Sequence, residues 1–371
     1  MTTRAARLAM TGAVLWCGPA LVGGAAEANG PLRAAPTRPG ASSGAAGGDS
    51  AAAGFPIRKI GGVEHVSLAD AATTLGLRLV WVERGRKAVL TGTGVRAEIE
   101  AESREIRVNG LRVFPGDAVV GLGGQIYLSR VDVERCLSPM LSPGHGVAPR
   151  PALWVIALDA GHGGNDPGKV NPRLGIDEKT LTLDVARRTT RLLEAAGYRV
   201  VLTRENDSFV ALPQRAAMAN VGRADVFVSI HFNALVNDAK TSGVEVFTFA
   251  PRTQRSTNAA SLGARNDAES HASPVNQHDH WSVVLAQALH RRFVTELRTA
   301  DRGKKLMHLA VLRPLQCPGV LIECGFLTSE TEARKIATPG YRQQLAEALA
   351  AGIRDYAAAL EGGKSAAGVR R

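Results

Sequence analysis

Val155-Ile156-Ala157-Leu158-Asp159-Ala160-Gly161-His162-Gly163-Gly164 is the stretch whose reading decides the fold. Trp154 to Leu158 is an apolar, β-branched run of the kind buried inside a sheet. It breaks into glycines where a strand should emerge. Glycine lets the backbone turn sharply and leaves space beside an imidazole. His162 therefore falls where ligands of open α/β sheets gather, outside the carboxyl ends of strands. A lone turn histidine also has a plain structural reading.

The pattern around this strand alternates. Glu178 to Ala196 reads as a helix ended by Gly197, Tyr198 to Leu202 as a strand and Pro213 to Val221 as a helix. Ala224 to Ile230 and Val244 to Phe249 read as strands, and Ser282 to Thr299 as a long helix. Val311 opens a further short strand, Gly319 to Glu323 is a core strand, and Tyr341 to Leu360 is a closing helix. Such alternation predicts an α/β domain over 153–361, with a twisted, largely parallel sheet flanked by helices.

Two more strand ends carry chemistry. Ser229-Ile230-His231-Phe232-Asn233-Ala234 puts His231 at the end of a second strand of the same domain. Neutral imidazoles suit zinc, and one carboxylate completes a three-ligand site with an open position. Glu178 is the natural third ligand, although the helix dipole alone favours an acid in a first turn, and the adjacent Asp177 could serve instead. In Leu321-Ile322-Glu323-Cys324-Gly325-Phe326, Glu323 follows an apolar run. A carboxylate there is costly to bury unpaired. Beside an attacking water it has a role: take the proton, then deliver one to the leaving amine. A structural ion pair is the competing explanation. Asn233 could orient His231 or touch substrate.

The chain has 371 residues and a formal charge of +11, enough length for two domains. The positive charge suits nucleic acid, anionic membranes or anionic wall polymers. No RNP-like motif, zinc-finger spacing or long Lys/Arg block supports nucleic acid. Arg4 and Arg7 precede an apolar run from Leu8 to Val22, and Ala26-Glu27-Ala28 fits a cleavage site. Residues 1–28 thus read as a secretory signal peptide and the protein as exported, to periplasm, cell wall or medium. Cys17 follows the bulky Trp16, which disfavours lipoprotein processing. No other stretch is apolar enough to span a bilayer. Cys136, Cys317 and Cys324 remain after cleavage, too sparse for a disulfide framework or a Cys-type zinc site.

Residues 29–54 are Ala/Gly/Pro/Ser-rich and read as a disordered linker. Residues 55–137 read as a small α+β domain of short strands: a helix ending at Gly76, strands near Leu77–Val82, Lys87–Leu90, Ala97–Ile99, Glu105–Val108 and Gln125–Leu128, and a turn at Asn109-Gly110. His65-Val66-Ser67-Leu68, Leu75-Gly76, Val80-Trp81, Val108-Asn109-Gly110 and Ile126-Tyr127-Leu128 make it similar to the small domain at the N-terminus of copper amine oxidases. His65 is its only histidine, so copper is not expected. Ser138 to Pro151 reads as a second linker, which contains His145. Residues 362–371 read as a basic, disordered tail.

From Val155 to Leu360 the text resembles the zinc-dependent N-acetylmuramoyl-L-alanine amidases of type 3. Asp159 to Gly168, Gly175-Ile176-Asp177-Glu178-Lys179, Leu202-Thr203-Arg204, Asp207, Arg215, Ala219-Asn220, Ala224-Asp225, Ser229 to Ala234, Asp301-Arg302-Gly303, Val311-Leu312-Arg313 and Leu321 to Leu327 carry the likeness in order. It implies zinc ligands His162, Glu178 and His231, with Glu178 preferred to Asp177 because Lys179 follows it. It implies Glu323 as catalytic base. The implied substrate is peptidoglycan, cut between the lactyl group of N-acetylmuramic acid and the stem peptide's L-alanine by a zinc-activated water. An activator protein is an admitted partner. Arg204 and Arg215 read as structural salt-bridge residues.

Leu327-Thr328-Ser329 departs from the family's usual Ser-Asn text at that point. An insertion from Pro251 to His280 holds Glu269, His271, His278 and His280. It reads as a surface loop or as an autoinhibitory lid whose Glu269 or His271 fills the open zinc position. Two other functions compete: a non-catalytic wall-binding scaffold, and a zinc peptidase acting within the stem peptide.

Overall fold

A computed structural model of the protein describes residues 54–258 and 267–368. The signal-peptide reading, Cys17, and the first linker up to residue 53 fall outside the described residues.

The N-terminal part runs β1 (Arg58–Ile60), β2 (Val63–Ser67), α1 (Leu68–Leu75), β3 (Arg78–Glu83), β4 (Lys87–Gly92), β5 (Val95–Glu100), β6 (Ile106–Val108), β7 (Leu111–Val113), β8 (Val120–Leu122) and β9 (Gln125–Ser129). Ser67 caps α1 by accepting from Asp70 N, and Gly76 ends it in the left-handed region. Asn109 and Gly110 both take positive φ, as a tight hairpin turn requires. Two short helices, α2 (Arg130–Asp132) and α3 (Ser138–Leu141), flank a π-helical turn. The stretch read as a second linker thus starts as a helix. Its Met140 and Leu141 are buried with Val66, Leu68 and Ile99, because apolar side chains there outweigh the turn-forming Ser and Pro.

The C-terminal part continues with β10 (Val155–Ala160), β11 (Val170–Asn171), β12 (Ile176–Asp177), α4 (Glu178–Ala195), β13 (Arg199–Leu202), α5 (Leu212–Val221), β14 (Val226–Asn233) and β15 (Val244–Phe249). Then come α6 (Asp279–Glu296), β16 (Asp301–Met307), β17 (Gly319–Phe326), α7 (Glu330–Ala337) and α8 (Pro339–Gly368). The order β13-β10-β14-β17-β15-β16 is parallel at every pair except β17/β15. Helices cover both faces. Ile156, Val228 and Ile322 face α4, α6 and α8, while Ala157, Phe227 and Leu321 face α5 and the 311–317 segment. By strand alternation, Asp159, Ser229, His231 and Glu323 share the second face.

The sheet does not stop at β16. β7 pairs with it in parallel through Val113 and Lys304, and Phe114 N donates to Lys304 O at 2.9 Å. The two parts thereby share an eleven-stranded sheet, β13-β10-β14-β17-β15-β16-β7-β6-β5-β4-β3. Sequence reading misses β16, as it does the short strands β1, β2, β7, β8, β11 and β12. The Asp-Arg-Gly-Lys-Lys text of β16 looks like a loop, yet Lys304 and Lys305 are buried. The strand expected at Val311 is a turn instead. α8 extends through Gly368, so most of the expected tail is helical backbone; continuing a helix costs far less than starting one. Among the described residues, no helix is long and apolar enough to cross a membrane.

Candidate metal centre

β10, β14 and β17 end side by side, which brings the loop after β10 and the end of β14 together. His162 takes φ 63°, a left-handed conformation that turns the chain out of β10. The β11/β12 hairpin then returns the chain, pairing Val170 with Asp177, and starts α4 on Glu178 beside His162. His162 Nε2 lies 3.2 Å from Glu178 Oε2, and His231 Nδ1 lies 3.1 Å from Glu178 Oε1. The imidazole rings meet edge-on, 4.9 Å apart. Donor atoms of His162, Glu178 and His231 all lie within 4.8 Å of one another.

The chain builds this cluster closely. A Cβ on Gly161 would come within 2.3 Å of the His231 ring. A Cβ on Gly168 would come within 2.6 Å of both Glu178 Oε2 and the His162 ring. Behind the cluster, Asp166 Oδ2 lies 2.8 Å from His162 Nδ1, leaving Nε2 toward Glu178. Phe232 N and Lys169 N each donate to a Glu178 oxygen at 2.9 Å. Burial opposes ionisation of Glu178, but hydrogen bonds and charge from His162 and His231 outweigh it and hold the carboxyl far below its usual range. Burial likewise disfavours the charged His162, yet Glu178 and Asp166 raise it to about 9. Two imidazoles, one carboxylate and an outer carboxylate that fixes an imidazole form a donor set that fits zinc.

Arg204 and Arg215 frame the loop. Arg215 pairs with buried Asp159 at 2.8 Å and also donates to Ala160 O and His162 O. Asp159 further accepts from Thr203 and Ser229 hydroxyls, each at 2.6 Å. Arg204 departs from the expected ion pair: it donates to the carbonyls of Ala160, Gly161, Lys179 and Asn206. A guanidinium satisfies a tight loop's inward-facing carbonyls as well as it would a carboxylate.

Glu323 pairs in register with His231 on one side and Glu245 on the other. Its Oε2 is buried without a hydrogen-bond partner. Burial, then the charges of Glu178 and Glu245, push its carboxyl well above the usual range. Glu245 is itself neutralised by Lys305 Nζ at 2.6 Å and Arg302 Nε at 3.1 Å. Sequence reading passed over Glu245, although a carboxylate inside the run Val244 to Phe249 carries the same signal as Glu323. It also left Asp166 without a role, four residues after His162. Asn233 donates its amide to Glu245 Oε2 at 2.7 Å and is buried.

The insertion corrects an expectation. β15 runs antiparallel to β17, so its Phe249 end lies at the edge of the sheet opposite the metal cluster. The insertion leaves from that edge. Glu269 pairs with Arg313 there and lies 3.9 Å from His308, while exposed His271 bonds Ser270. His278 meets Arg150, and His280 Nε2 lies 2.7 Å from Pro143 O. In this structure neither Glu269 nor His271 fills the open metal position, because the strand direction carries both away from it.

Residues 156–355 match the sequence profile of the N-acetylmuramoyl-L-alanine amidase family. The chain is 33% identical over 218 residues to N-acetylmuramoyl-L-alanine amidase AmiC of Neisseria meningitidis serogroup B, covering 54% of this chain and 52% of that protein. It is 34% identical over 202 residues to the uncharacterized protein YqiI of Bacillus subtilis, covering 54% and 84%. A solved N-acetylmuramoyl-L-alanine amidase from Clostridium difficile 630 aligns with TM-score 0.45 and 32% identity over 56% of this chain and 97% of that one. The chain spans about half the length of the AmiC relatives it matches. With more than half of its residues inside the family profile, the chain belongs to the N-acetylmuramoyl-L-alanine amidase family.

Proposed function

We propose that this protein is an exported, zinc-dependent peptidoglycan hydrolase that cuts the amide between N-acetylmuramic acid and the L-alanine of the stem peptide. The observation that carries this reading is the His162–Glu178–His231 cluster with buried Glu323 in register beside His231. Family membership supports the bond assignment. The charge of +11 suits an anionic wall polymer.

His162, Glu178 and His231 would hold the ion. Bound zinc would supply Lewis acidity toward the scissile carbonyl and lower the pKa of a water toward ~7. The remaining work falls to the chain. Asp166 fixes the His162 ring, and two backbone N–H groups fix Glu178. Glu323 takes a proton from the attacking water on its carboxylate and returns one to the leaving amine nitrogen. Burial of its carboxyl, whose Oε2 has no hydrogen-bond partner, favours the protonated form and suits it to carry that proton to the amine.

Digestion of purified peptidoglycan, read by mass, tests the bond. Free stem peptides beginning with L-alanine and bare muramic acid are expected; cuts only within the peptide would favour a peptidase instead. Glu323→Gln should lose at least about 10²-fold in turnover while zinc content is unchanged. Full activity in that variant would remove Glu323 from the mechanism.

A further inference from the structure

Phe209 is the one exposed Phe, Tyr or Trp side chain among the described residues, at 55% exposure. It belongs to none of the three apolar clusters that hold the fold together. Its position is fixed nonetheless. It lies in the loop between β13 and α5, at the edge of the sheet where the metal cluster sits. Asp207 accepts from Gly164 N at 2.8 Å and from Lys179 Nζ at 2.7 Å, and Lys179 also donates to Gly164 O. A Cβ on Gly163 would meet Ser208 O at 2.2 Å, and one on Gly164 would meet Phe209 N at 2.7 Å. The backbone of Phe209 therefore packs against a residue only two positions from His162. Exposed Val170, Leu212 and Val236 come from the β11/β12 hairpin, the first turn of α5 and the loop after β14, at this same edge. More than half of this large ring's surface stays in water, where it adds no burial to the fold.

We propose that Phe209 is a sugar-stacking residue that receives the pyranose ring of the muramoyl group. This deepens the amidase reading and rests on it. Only three covalent bonds separate the scissile carbonyl carbon from that sugar ring, so a carbonyl at the metal cluster puts the sugar at this rim. The electron-rich face of an aromatic ring attracts polarised C–H groups, such as those on the apolar face of a pyranose. A loop tied by Asp207 and Lys179 to the His162 loop keeps ring and metal site in fixed relation, which lowers the cost of binding.

The probe is the peptide-free disaccharide of N-acetylglucosamine and N-acetylmuramic acid, titrated against the full chain by NMR or calorimetry. Phe209→Ala should bind it about tenfold more weakly, the loss of about one stacking contact. Phe209→Trp should bind it as the wild type does. Val221→Ala, which alters an exposed apolar residue at the far end of α5, should change nothing. Phe209→Leu makes the same test, apolar bulk without a ring, should the alanine variant fold poorly. Unchanged binding in the alanine or leucine variant, equal weakening in Val221→Ala, or no disaccharide binding by the wild type would overturn the proposal. If the wild type cuts the muramoyl amide yet ignores the disaccharide, the stacking role alone falls. If it binds the disaccharide through Phe209 but never cuts that amide, the amidase reading falls instead.

Discussion

His162 holds a backbone conformation that costs a residue with a side chain about 1–2 kcal/mol. Its surroundings offset that cost. Arg215 donates to its carbonyl at 2.8 Å and Asp166 lies 2.8 Å from its Nδ1. A metal-binding imidazole held by an outer carboxylate is fixed in both orientation and basicity. Asp166→Ala is therefore expected to weaken zinc binding about 10–100-fold with the fold intact. Competition against a fluorescent chelator would measure it, and unchanged affinity would mean that Asp166 serves only the turn. Asp166 was visible in the quoted motif, yet nothing in its sequence neighbourhood says that its carboxylate turns back on His162. That needs the bridge in which Gly163 and Asp166 bond each other's backbone.

At the scale of elements, the loop after β10 is locked by partners from four directions: α4, α5, β14 and the segment after β13. Asp159 is the centre of the lock. Burial opposes its charge, but Arg215 and the hydroxyls of Ser229 and Thr203 hold it below its usual range. Arg215→Met would leave a buried carboxylate without its counter-charge. Such a loss costs about 3–5 kcal/mol, and urea unfolding would register it; a change below about 1 kcal/mol would show that Asp159 simply takes up a proton. The strands and helices around this lock were legible from their periodicity. β16 was not, because its charged residues find buried partners that sequence cannot see: Glu245 for Lys305, and the N-terminal part for Lys304.

At the scale of the molecule, the N-terminal part is a continuation of the sheet that carries the metal cluster. β7 covers the edge of β16, Val283 of α6 joins the N-terminal apolar cluster, and Gln254 of the insertion donates to buried Asp132 at 2.8 Å. A chain beginning at residue 153 would bare a strand edge and a buried lysine. It is expected to aggregate or to melt well below the full chain in a thermal unfolding assay. Equal melting temperatures would show the shared sheet to be dispensable.

The same junction makes stability depend on pH. Burial foremost, with Arg135 and His145, pushes His280 down to about 4 against the pull of the Pro143 carbonyl. Burial pushes the neighbouring Asp279 up to about 7 despite its bonds from Asn276. Unfolded His binds a proton below ~6.5, so His280 takes stability away as pH falls toward 4. Unfolded Asp loses its proton above ~3.9, so Asp279 takes stability away as pH rises toward 7. The two slopes oppose each other between. Relative to the wild type, His280→Gln should lose stability from pH 4.5 to 6.5 and Asp279→Asn should gain it, as urea unfolding at both values would show. Parallel profiles would mean that neither group titrates as its burial implies.

The sequence by itself determined the alternating α/β order, the strand ends that carry His162, His231 and Glu323, and the first-turn position of Glu178. Those follow from local rules: period-two burial in strands, glycine at sharp turns, and acids at helix starts. Tertiary structure alone decided that Glu245 stands opposite Glu323, that Arg204 serves carbonyls, that the insertion leaves from the far edge, and that β7 extends the sheet that carries the metal cluster. Each of these depends on strand direction and register between segments far apart in the chain, which no local pattern encodes.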